Sequence, residues 1–165
     1  MKTSLRTLSL SVLLAGLLPL AAPANAANPV WLEGKTDSSL PITVYRSASC
    51  GCCKAWVSHL KDHNFKVDDV VVQNMNSVKQ QLGVQSQLAS CHTAVVNGVV
   101  IEGHVPAQDI KRLLASPGKV QMLSVPGMPS GSPGMDMAGA PKHDFAVYAL
   151  DSDNKLSTFS EYKDY

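Results

Sequence analysis

The chain has 165 residues, with 14 basic and 13 acidic side chains and a formal net charge of +1. This balance excludes the strongly basic composition of most nucleic-acid-binding domains. A chain of this length can bury a core of its own, so it does not need disulfides to fold. Its four cysteines are therefore free for other chemistry.

The first 26 residues are typical of a secretory signal peptide. Lys2 and Arg6 give a positive start, an apolar run covers residues 8–18, and a small-x-small cleavage site ends at Ala26. The run is about half of the roughly 20 residues that a transmembrane helix needs. We therefore predict an exported protein whose mature part, residues 27–165, forms a single domain without a membrane span and has a net charge near −1.

Residues 27–40 are polar and irregular, and the first regular elements follow them. β-Branched and aromatic residues at 42–45 predict a strand. Apolar residues at three- and four-residue spacing predict a helix over about 53–63, with Ser49 as its N-cap. Residues 65–72 predict a second strand, whose valine run is typical of a strand covered on both faces.

The next elements complete an alternating pattern. A short helix is predicted at 77–82 and a loop at 84–93. Asn-Gly at 97–98, between two apolar runs, indicates a β-hairpin, and Pro106 opens a helix over 107–115. The order strand, helix, strand, helix, hairpin, helix predicts an α/β fold of the thioredoxin-like type, a mixed sheet flanked by helices.

The predicted core covers about 41–116, and residues 117–165 form a C-terminal extension. The extension contains a loop rich in methionine, proline and glycine at 125–137. Two apolar runs at 145–150 and 156–159 then predict a closing β-hairpin.

Three cysteines, Cys50, Cys52 and Cys53, fall within four positions, and the fourth, Cys91, precedes His92. A helix N-terminus lowers the pKa of a thiol, which favours the thiolate that binds metals. In a thioredoxin-like fold the loop before the third strand packs against the cysteine-bearing helix, so we expect Cys91 to join the other three. Soft thiolates suit Cu(I), zinc and iron–sulfur clusters, and the crowded spacing disfavours zinc.

Two alternatives for the cysteines stay open. One is a purely structural disulfide, such as Cys50–Cys53, in an exported domain. The other is a thiol–disulfide oxidoreductase with Cys50 as the attacking thiolate and Cys53 as the resolving thiol. Against the enzyme, most redox proteins of this fold have a cis-proline where this chain has residues 91–93.

Imidazoles and thioethers are further ligand candidates. Among the histidines, His92 is favoured because it adjoins Cys91, and His104 is either a polar residue at a helix start or a group that supports a ligand. For the methionines, ligation and a flexible apolar loop are equally consistent with the pattern; they are Met128, Met135 and Met137. His59 and His63 lie on one helix face, which we interpret as partly solvated.

Four separate motifs resemble the CopG group of bacterial copper-resistance proteins. In chain order they are residues 45–56, 88–95, 101–107 and 125–135. The resemblance runs from about residue 41 to the end of the chain.

The resemblance implies a thioredoxin-like fold, a periplasmic location and a copper site bridged by the thiolates of Cys50, Cys52, Cys53 and Cys91. A copper redox role has also been proposed for this group, so enzymatic activity stays open. We therefore predict a periplasmic copper-binding protein for copper resistance. It would hold Cu(I) in a thiolate site that can be multinuclear, and its partners would be copper ions and other periplasmic copper-handling proteins.

Overall fold

A computed structural model describes residues 29–165, so the predicted signal peptide lies outside the described part of the chain. Within that part, seven strands and three α-helices alternate, with short 3-10 turns at Pro29–Leu32 and Ser86–Leu88. In chain order they are β1 (Leu40–Arg46), α1 (Gly51–Asp62), β2 (Phe65–Val71), α2 (Met75–Gln81), β3 (Thr93–Val96), β4 (Val99–Gly103), α3 (Ala107–Ala115), β5 (Val120–Val125), β6 (Phe145–Asp151) and β7 (Leu156–Tyr162).

The seven strands form one mixed sheet in the order β2-β1-β3-β4-β5-β6-β7. The pairs β1–β2 and β4–β5 are parallel, and the other neighbours are antiparallel. The predicted mixed α/β architecture is therefore confirmed. The predicted hairpin is also present, and its turn residues Asn97 and Gly98 both have positive φ (48° and 79°), as a tight two-residue hairpin turn requires.

The main core lies between the sheet and helices α1 and α3. Trp56 and Leu60 of α1 and Ile110 of α3 are fully buried there, together with Ile101 and Leu123 of the sheet. Burial of each such side chain contributes about 1.5–3 kcal/mol. The core therefore fixes α1, the helix that carries three cysteines, against β1, β3 and β4.

Strand β2 differs from its prediction. It lies at the edge of the sheet and pairs only with β1, and Val71 is 49% exposed. The prediction from the valine run, a strand covered on both faces, is wrong. β-Branched residues favour strand geometry at an edge as well as in the centre, so composition alone did not distinguish the two.

The C-terminal extension is part of the same sheet. The hairpin predicted near 145–159 is confirmed as β6 and β7, whereas β5 was not predicted from the sequence. This strand pairs in parallel with β4 and joins the hairpin to the core strands. The loop between β5 and β6 is consequently held at both ends by the sheet.

The predicted solvation of His59 and His63 is wrong, because both side chains are buried. His59 Nε2 accepts a hydrogen bond from the backbone N–H of Ala107, 3.0 Å away, at the start of α3. His63 Nε2 lies within hydrogen-bond distance of the Trp31 carbonyl oxygen. These two histidines, four positions apart, therefore each contact the backbone of another segment: His59 contacts the start of α3 and His63 contacts Trp31.

Between residues 29 and 165, no helix has the length and apolar character needed to cross a membrane.

Candidate metal centre

Cys50 ends the loop from β1 to α1, and Cys52 and Cys53 lie in the first turn of α1. Cys50 has extended backbone geometry and is the N-cap of α1, since its Sγ accepts a hydrogen bond from the Cys53 N–H at 3.3 Å. The prediction that Ser49 caps this helix is therefore wrong by one residue. A sulfur at the N-cap satisfies one of the unpaired N–H groups of the first turn, which places the three cysteines around the helix N-terminus.

Cys91 reaches this cluster because its loop leads directly into β3. That strand runs antiparallel to β1, with Thr93 opposite Tyr45, so the residues before β3 lie beside the start of α1. The Cys91 Sγ is 3.6 Å from the Cys53 Sγ and 3.8 Å from the Cys52 Sγ. All four cysteine sulfur atoms lie within 4.8 Å of one another.

Two of the four cysteines are joined to each other. Cys50 and Cys53 form a disulfide, and Cys52 and Cys91 are free. This is the pairing that the sequence left open as an alternative to metal binding. Reduction of the bond adds two sulfur donors to the two free thiols, so the oxidation state of the Cys50–Cys53 pair sets the number of thiol ligands.

Two imidazoles adjoin the Cys91 sulfur. His92 Nδ1 lies 3.2 Å and His104 Nε2 lies 3.3 Å from the Cys91 Sγ. The other ring nitrogen of His104, Nδ1, is 2.8 Å from the carbonyl oxygen of Pro133. A carbonyl only accepts hydrogen bonds, so His104 Nδ1 carries the proton and the lone pair of Nε2 faces the sulfur.

Burial controls the protonation of this region. It lowers the pKa of His92 well below its ordinary value, with His104 as the next contributor, and it also lowers the pKa of His104. Burial, reinforced by Cys52, raises the pKa of Cys91 to about 12. In the metal-free protein at neutral pH, Cys91 is a thiol beside two neutral imidazoles, and the neutral form is the one that binds metals.

A buried carboxylate holds the Cys91 loop in place. Glu102 Oε1 accepts the backbone N–H of Ser90 at 2.6 Å, and Oε2 accepts the Thr93 hydroxyl at 2.6 Å. Lys79 forms an ion pair with the same carboxylate. This network was not predicted from the sequence, although an acidic residue directly after the apolar run of β4 is a signal for it.

The loop between β5 and β6 covers the helix N-terminus. A Cβ atom at Gly134 would lie 2.8 Å from the Cys52 carbonyl oxygen and 2.7 Å from the Trp56 backbone nitrogen, so only glycine allows this approach. Met135 follows and is partly buried, whereas Met128 and Met137 are 54% and 69% exposed. Of the three candidate methionines, Met135 is the one that directly follows the glycine in contact with α1.

Trp56 is fully buried and supports the site. Its Nε1 donates a hydrogen bond to the Val105 carbonyl oxygen at 2.9 Å, and its ring lies 4.4 Å from the ring of His92. This packing holds the His92 ring against α1.

The donor set fits a soft metal ion. Metal–sulfur bonds of about 2.3 Å with tetrahedral geometry place neighbouring sulfur atoms roughly 3.8 Å apart. The sulfurs of the two free cysteines, Cys52 and Cys91, lie 3.8 Å apart, which matches this value. The Cys50 and Cys53 sulfurs join the donor set only when their disulfide is reduced. Thiolate and imidazole donors together suit copper and zinc far better than magnesium or calcium.

A protein family and two solved structures are similar to this chain. A family model described as "Protein of unknown function, DUF411" matches residues 88–135, the segment that contains Cys91, His92, His104 and Met128. No curated protein matches the chain.

Two solved structures are similar over most of the chain. One, titled "Copper resistance protein copG- Form 2", is 44% identical with a TM-score of 0.72, and the match covers 76% of this chain and 100% of that one. The other, titled "Copper resistance protein copG- Form 1", is 46% identical with a TM-score of 0.70, and covers 74% and 97%. With the cysteine cluster in the same fold, this similarity shows that the chain belongs to the CopG-like copper-resistance protein family.

Proposed function

We propose that this protein binds copper for copper resistance and homeostasis, and that it holds Cu(I) between the thiolates of Cys50, Cys52, Cys53 and Cys91. The observation that carries the proposal is the convergence of four sulfur atoms within 4.8 Å. Both similar structures are of copper resistance proteins, and the donor chemistry of this chain agrees with such a role.

The donors favour Cu(I) over zinc. Soft thiolates select Cu(I), and Cys52 and Cys53 are adjacent in the chain, an arrangement that suits sulfurs bridging two ions better than a single tetrahedral ion. The site can therefore hold more than one copper ion. The proposal includes His92 and His104 as additional nitrogen ligands, because each has a ring nitrogen within 3.3 Å of the Cys91 sulfur.

The proposal also covers the domain that holds the site, its cellular location and its partners. The order β2-β1-β3-β4, with α1 connecting the parallel strands β1 and β2, supports a thioredoxin-like core within one metal-binding domain, residues 27–165. The signal-like leader supports export to the periplasm. There the partners would be copper ions and other periplasmic copper-handling proteins.

Redox cycling of copper is part of the proposal. Oxidation of the Cys50 and Cys53 thiols to their disulfide releases two protons and two electrons, and these electrons reduce two Cu(II) ions to two Cu(I) ions. The disulfide between these residues supports the idea that the site supplies electrons in this way. Reduction of the disulfide by an external thiol would complete the cycle.

A thiol–disulfide oxidoreductase is the second candidate. The Cys50–Cys53 disulfide at the N-terminus of α1 favours it, because thiols at this position leave and attack readily. However, Cys91 and His92 occupy the loop before β3, and residues 29–165 contain no cis peptide bond. Reduction of a model disulfide substrate by the copper-free protein tests this alternative.

The test of copper binding is an anaerobic titration of the fully reduced protein with Cu(I) against a chromophoric chelator. We expect the single variants of the four cysteines to serine each to lower affinity at least tenfold, because each removes one sulfur donor. Ser49→Ala, next to the cluster, is the matched control. Unchanged affinity in all four variants would show that copper binds elsewhere.

A further inference from the structure

Trp31 connects the segment before β1 to the loop that covers the metal centre. Its side chain is fully buried, whereas residues 32–39, which follow it, are exposed. The indole Nε1 donates a hydrogen bond to the carbonyl oxygen of Gly131 at 3.0 Å, across 100 positions of sequence. This side chain therefore attaches an otherwise exposed segment to the loop between β5 and β6.

The backbone at Trp31 is fixed to two helices. His63 follows the last residue of α1, and its Nε2 lies within hydrogen-bond distance of the Trp31 carbonyl oxygen. Gln108 of α3 donates a hydrogen bond from Nε2 to the Val30 carbonyl oxygen at 3.4 Å. Trp31 thus has its backbone on the helices and its indole N–H on the loop.

Three aromatic rings surround the indole. The ring centroids of Phe145, Tyr162 and Tyr165 lie 6.0, 5.1 and 5.2 Å from that of Trp31. The Tyr165 hydroxyl also donates to the His143 carbonyl oxygen at 3.0 Å, near the end of the same loop. Closely packed side chains have few alternative orientations, so this cluster fixes the direction in which the indole N–H points.

Gly131 begins a tight turn at residues 131–135, which we call the covering turn. The Gly131 N–H donates to the Met135 carbonyl oxygen at 2.9 Å, and the Met135 N–H donates to the Ser132 carbonyl oxygen at 2.8 Å. These two bonds make the turn a compact unit. A displacement of Gly131 therefore displaces the whole turn.

The covering turn makes two contacts with the metal centre. The Pro133 carbonyl oxygen is 2.8 Å from Nδ1 of His104 and accepts its hydrogen. Gly134 lies so close to the backbone of Cys52 and Trp56 that a Cβ atom there would overlap with both. The position of the turn therefore affects both the orientation of the His104 ring and the cover over the start of α1.

We propose that Trp31 is a positioning residue for the covering turn, and that by holding the turn against α1 it slows the release of Cu(I). Without the indole N–H, the buried Gly131 carbonyl loses this donor, and a buried polar group without a partner is costly. Conformations that expose this carbonyl to water, with the turn displaced from α1, then become more populated. The claim about release rests on the proposed copper function, whereas the claim about positioning also applies to the copper-free protein.

The competing explanation is that Trp31 contributes only to the stability of the whole fold. Tyr162 offers a matched comparison, because its ring contacts Trp31 while its hydroxyl donates to Asp109 Oδ2 of α3 at 2.9 Å. Tyr162→Phe therefore removes a hydrogen bond next to the same indole without removing a bond to the covering turn.

Hydrogen exchange of the copper-free protein, followed by NMR, measures local opening of the turn. Trp31→Phe keeps an aromatic ring but removes the donor. Benzothienylalanine at position 31 is a second variant, which keeps the shape of the indole and has sulfur in place of the N–H. The amides of Gly131 and Met135 report on the covering turn, and the amides of β3 and β4 report on the fold as a whole.

We expect both position-31 variants to speed exchange of the two turn amides at least tenfold relative to the amides of β3 and β4. Loss of a partner for a buried polar group shifts such an equilibrium by about 5- to 100-fold. Tyr162→Phe should leave the ratio at the parent value, even if it lowers the stability of the whole protein.

The second measurement is the anaerobic release of Cu(I) from the reduced, loaded protein to an excess of a chromophoric chelator. Release should be at least fivefold faster in both position-31 variants than in the parent protein. Tyr162→Phe should release Cu(I) at the parent rate, because its covering turn remains in place.

Each part of the proposal can fail separately. Unchanged protection of the turn amides in both position-31 variants, or turn amides that are unprotected already in the parent, would overturn the positioning role. A loosened turn with Cu(I) release at the parent rate would overturn the claim about release. A parent protein that takes up no Cu(I) would instead refute the proposed copper function, and exchange in the copper-free protein would still decide whether Trp31 positions the turn.

Discussion

The sulfur atoms of Cys53 and Cys91 lie 3.6 Å apart, although 38 positions separate the two residues in the chain. Helix α1 supplies one sulfur and the loop before β3 supplies the other, and the antiparallel β1–β3 pairing brings the two elements together. The site therefore exists only when the sheet is formed, and copper binding should stabilise the folded protein.

Reduction should increase copper binding. The protein with the Cys50–Cys53 disulfide offers two free thiols, and the reduced protein offers four. We expect the reduced form to bind Cu(I) with higher affinity or higher stoichiometry in parallel anaerobic titrations. Identical isotherms for the two forms would contradict a role of Cys50 and Cys53 as ligands.

Loss of Glu102 should destabilise the protein and weaken the site. Glu102→Ala leaves Lys79 and the Ser90 N–H without their buried partner, and breaking a buried ion pair costs about 3–5 kcal/mol. Urea unfolding of the reduced, copper-free protein measures this loss, and Asp153→Ala, in an exposed ion pair, should leave the unfolding midpoint nearly unchanged.

The double variant Lys79→Met/Glu102→Met distinguishes the effect of Glu102 on the stability of the fold from its effect on the position of the Cys91 loop. It removes both charges, so it should recover much of the lost stability. However, no acceptor for the Ser90 N–H remains at position 102, so the affinity for Cu(I) should stay low. Recovery of both properties would mean that Glu102 acts on stability alone.

Stability should fall in mild acid, and His59 should contribute to that fall. Burial, followed by the neighbouring His63 and Lys35, lowers the pKa of His59 from 6.5 to about 3 in the folded protein. The unfolded chain therefore binds this proton first, and stability decreases as the pH falls from about 6.5 towards 3, by at most about 1.4 kcal/mol per pH unit.

Urea unfolding at pH 7, 6 and 5 measures this dependence. In His59→Gln the side-chain carbonyl can still accept the Ala107 N–H but does not titrate, so we expect a shallower slope than in the wild type. His143→Gln, at an exposed histidine, should keep the wild-type slope. A slope unaffected by His59→Gln would assign the acid sensitivity to other groups.

The contact of Gly134 with α1 should be necessary for a complete site. Gly134 and Gly139 have similar positive φ angles, 81° and 78°, so alanine strains the backbone equally at both, by about 1 kcal/mol. A Cβ at position 139 meets nothing within 4 Å, whereas at position 134 it meets the backbone of Cys52 and Trp56.

We therefore expect Gly134→Ala to cost about 1–3 kcal/mol more than Gly139→Ala and to weaken copper binding. Thermal unfolding and Cu(I) titration of the two variants measure the difference. Equal effects of the two substitutions would show that the loop moves away from α1 without consequence.

Among the three candidate methionines, Met135 should contribute most to the affinity for Cu(I). It follows Gly134 and is partly buried, whereas Met128 and Met137 are mostly exposed. We expect Met135→Leu, which preserves volume but removes the soft sulfur, to lower Cu(I) affinity more than Met137→Leu. A larger effect of Met137→Leu would point to an outer capture site instead.

The sequence alone determined what is local. β-Branched runs, the Asn97-Gly98 turn and Pro106 correctly predicted most elements of the core, because these signals act through the backbone preferences of a few neighbouring residues. The crowding of Cys50, Cys52 and Cys53 likewise indicated soft-metal or redox chemistry without any coordinates, and four motifs identified the family.

Tertiary structure decided what depends on long-range pairing. Whether a valine run lies at an edge or in the centre depends on its neighbours in the sheet, which is why β2 was misjudged and β5 was missed. The burial of His59, the hold of Glu102 on the Cys91 loop, and the direction of the His104 lone pair towards a sulfur are likewise set by elements distant in the chain. Contacts of this kind have no short-range signature, so only the folded sheet brings them together.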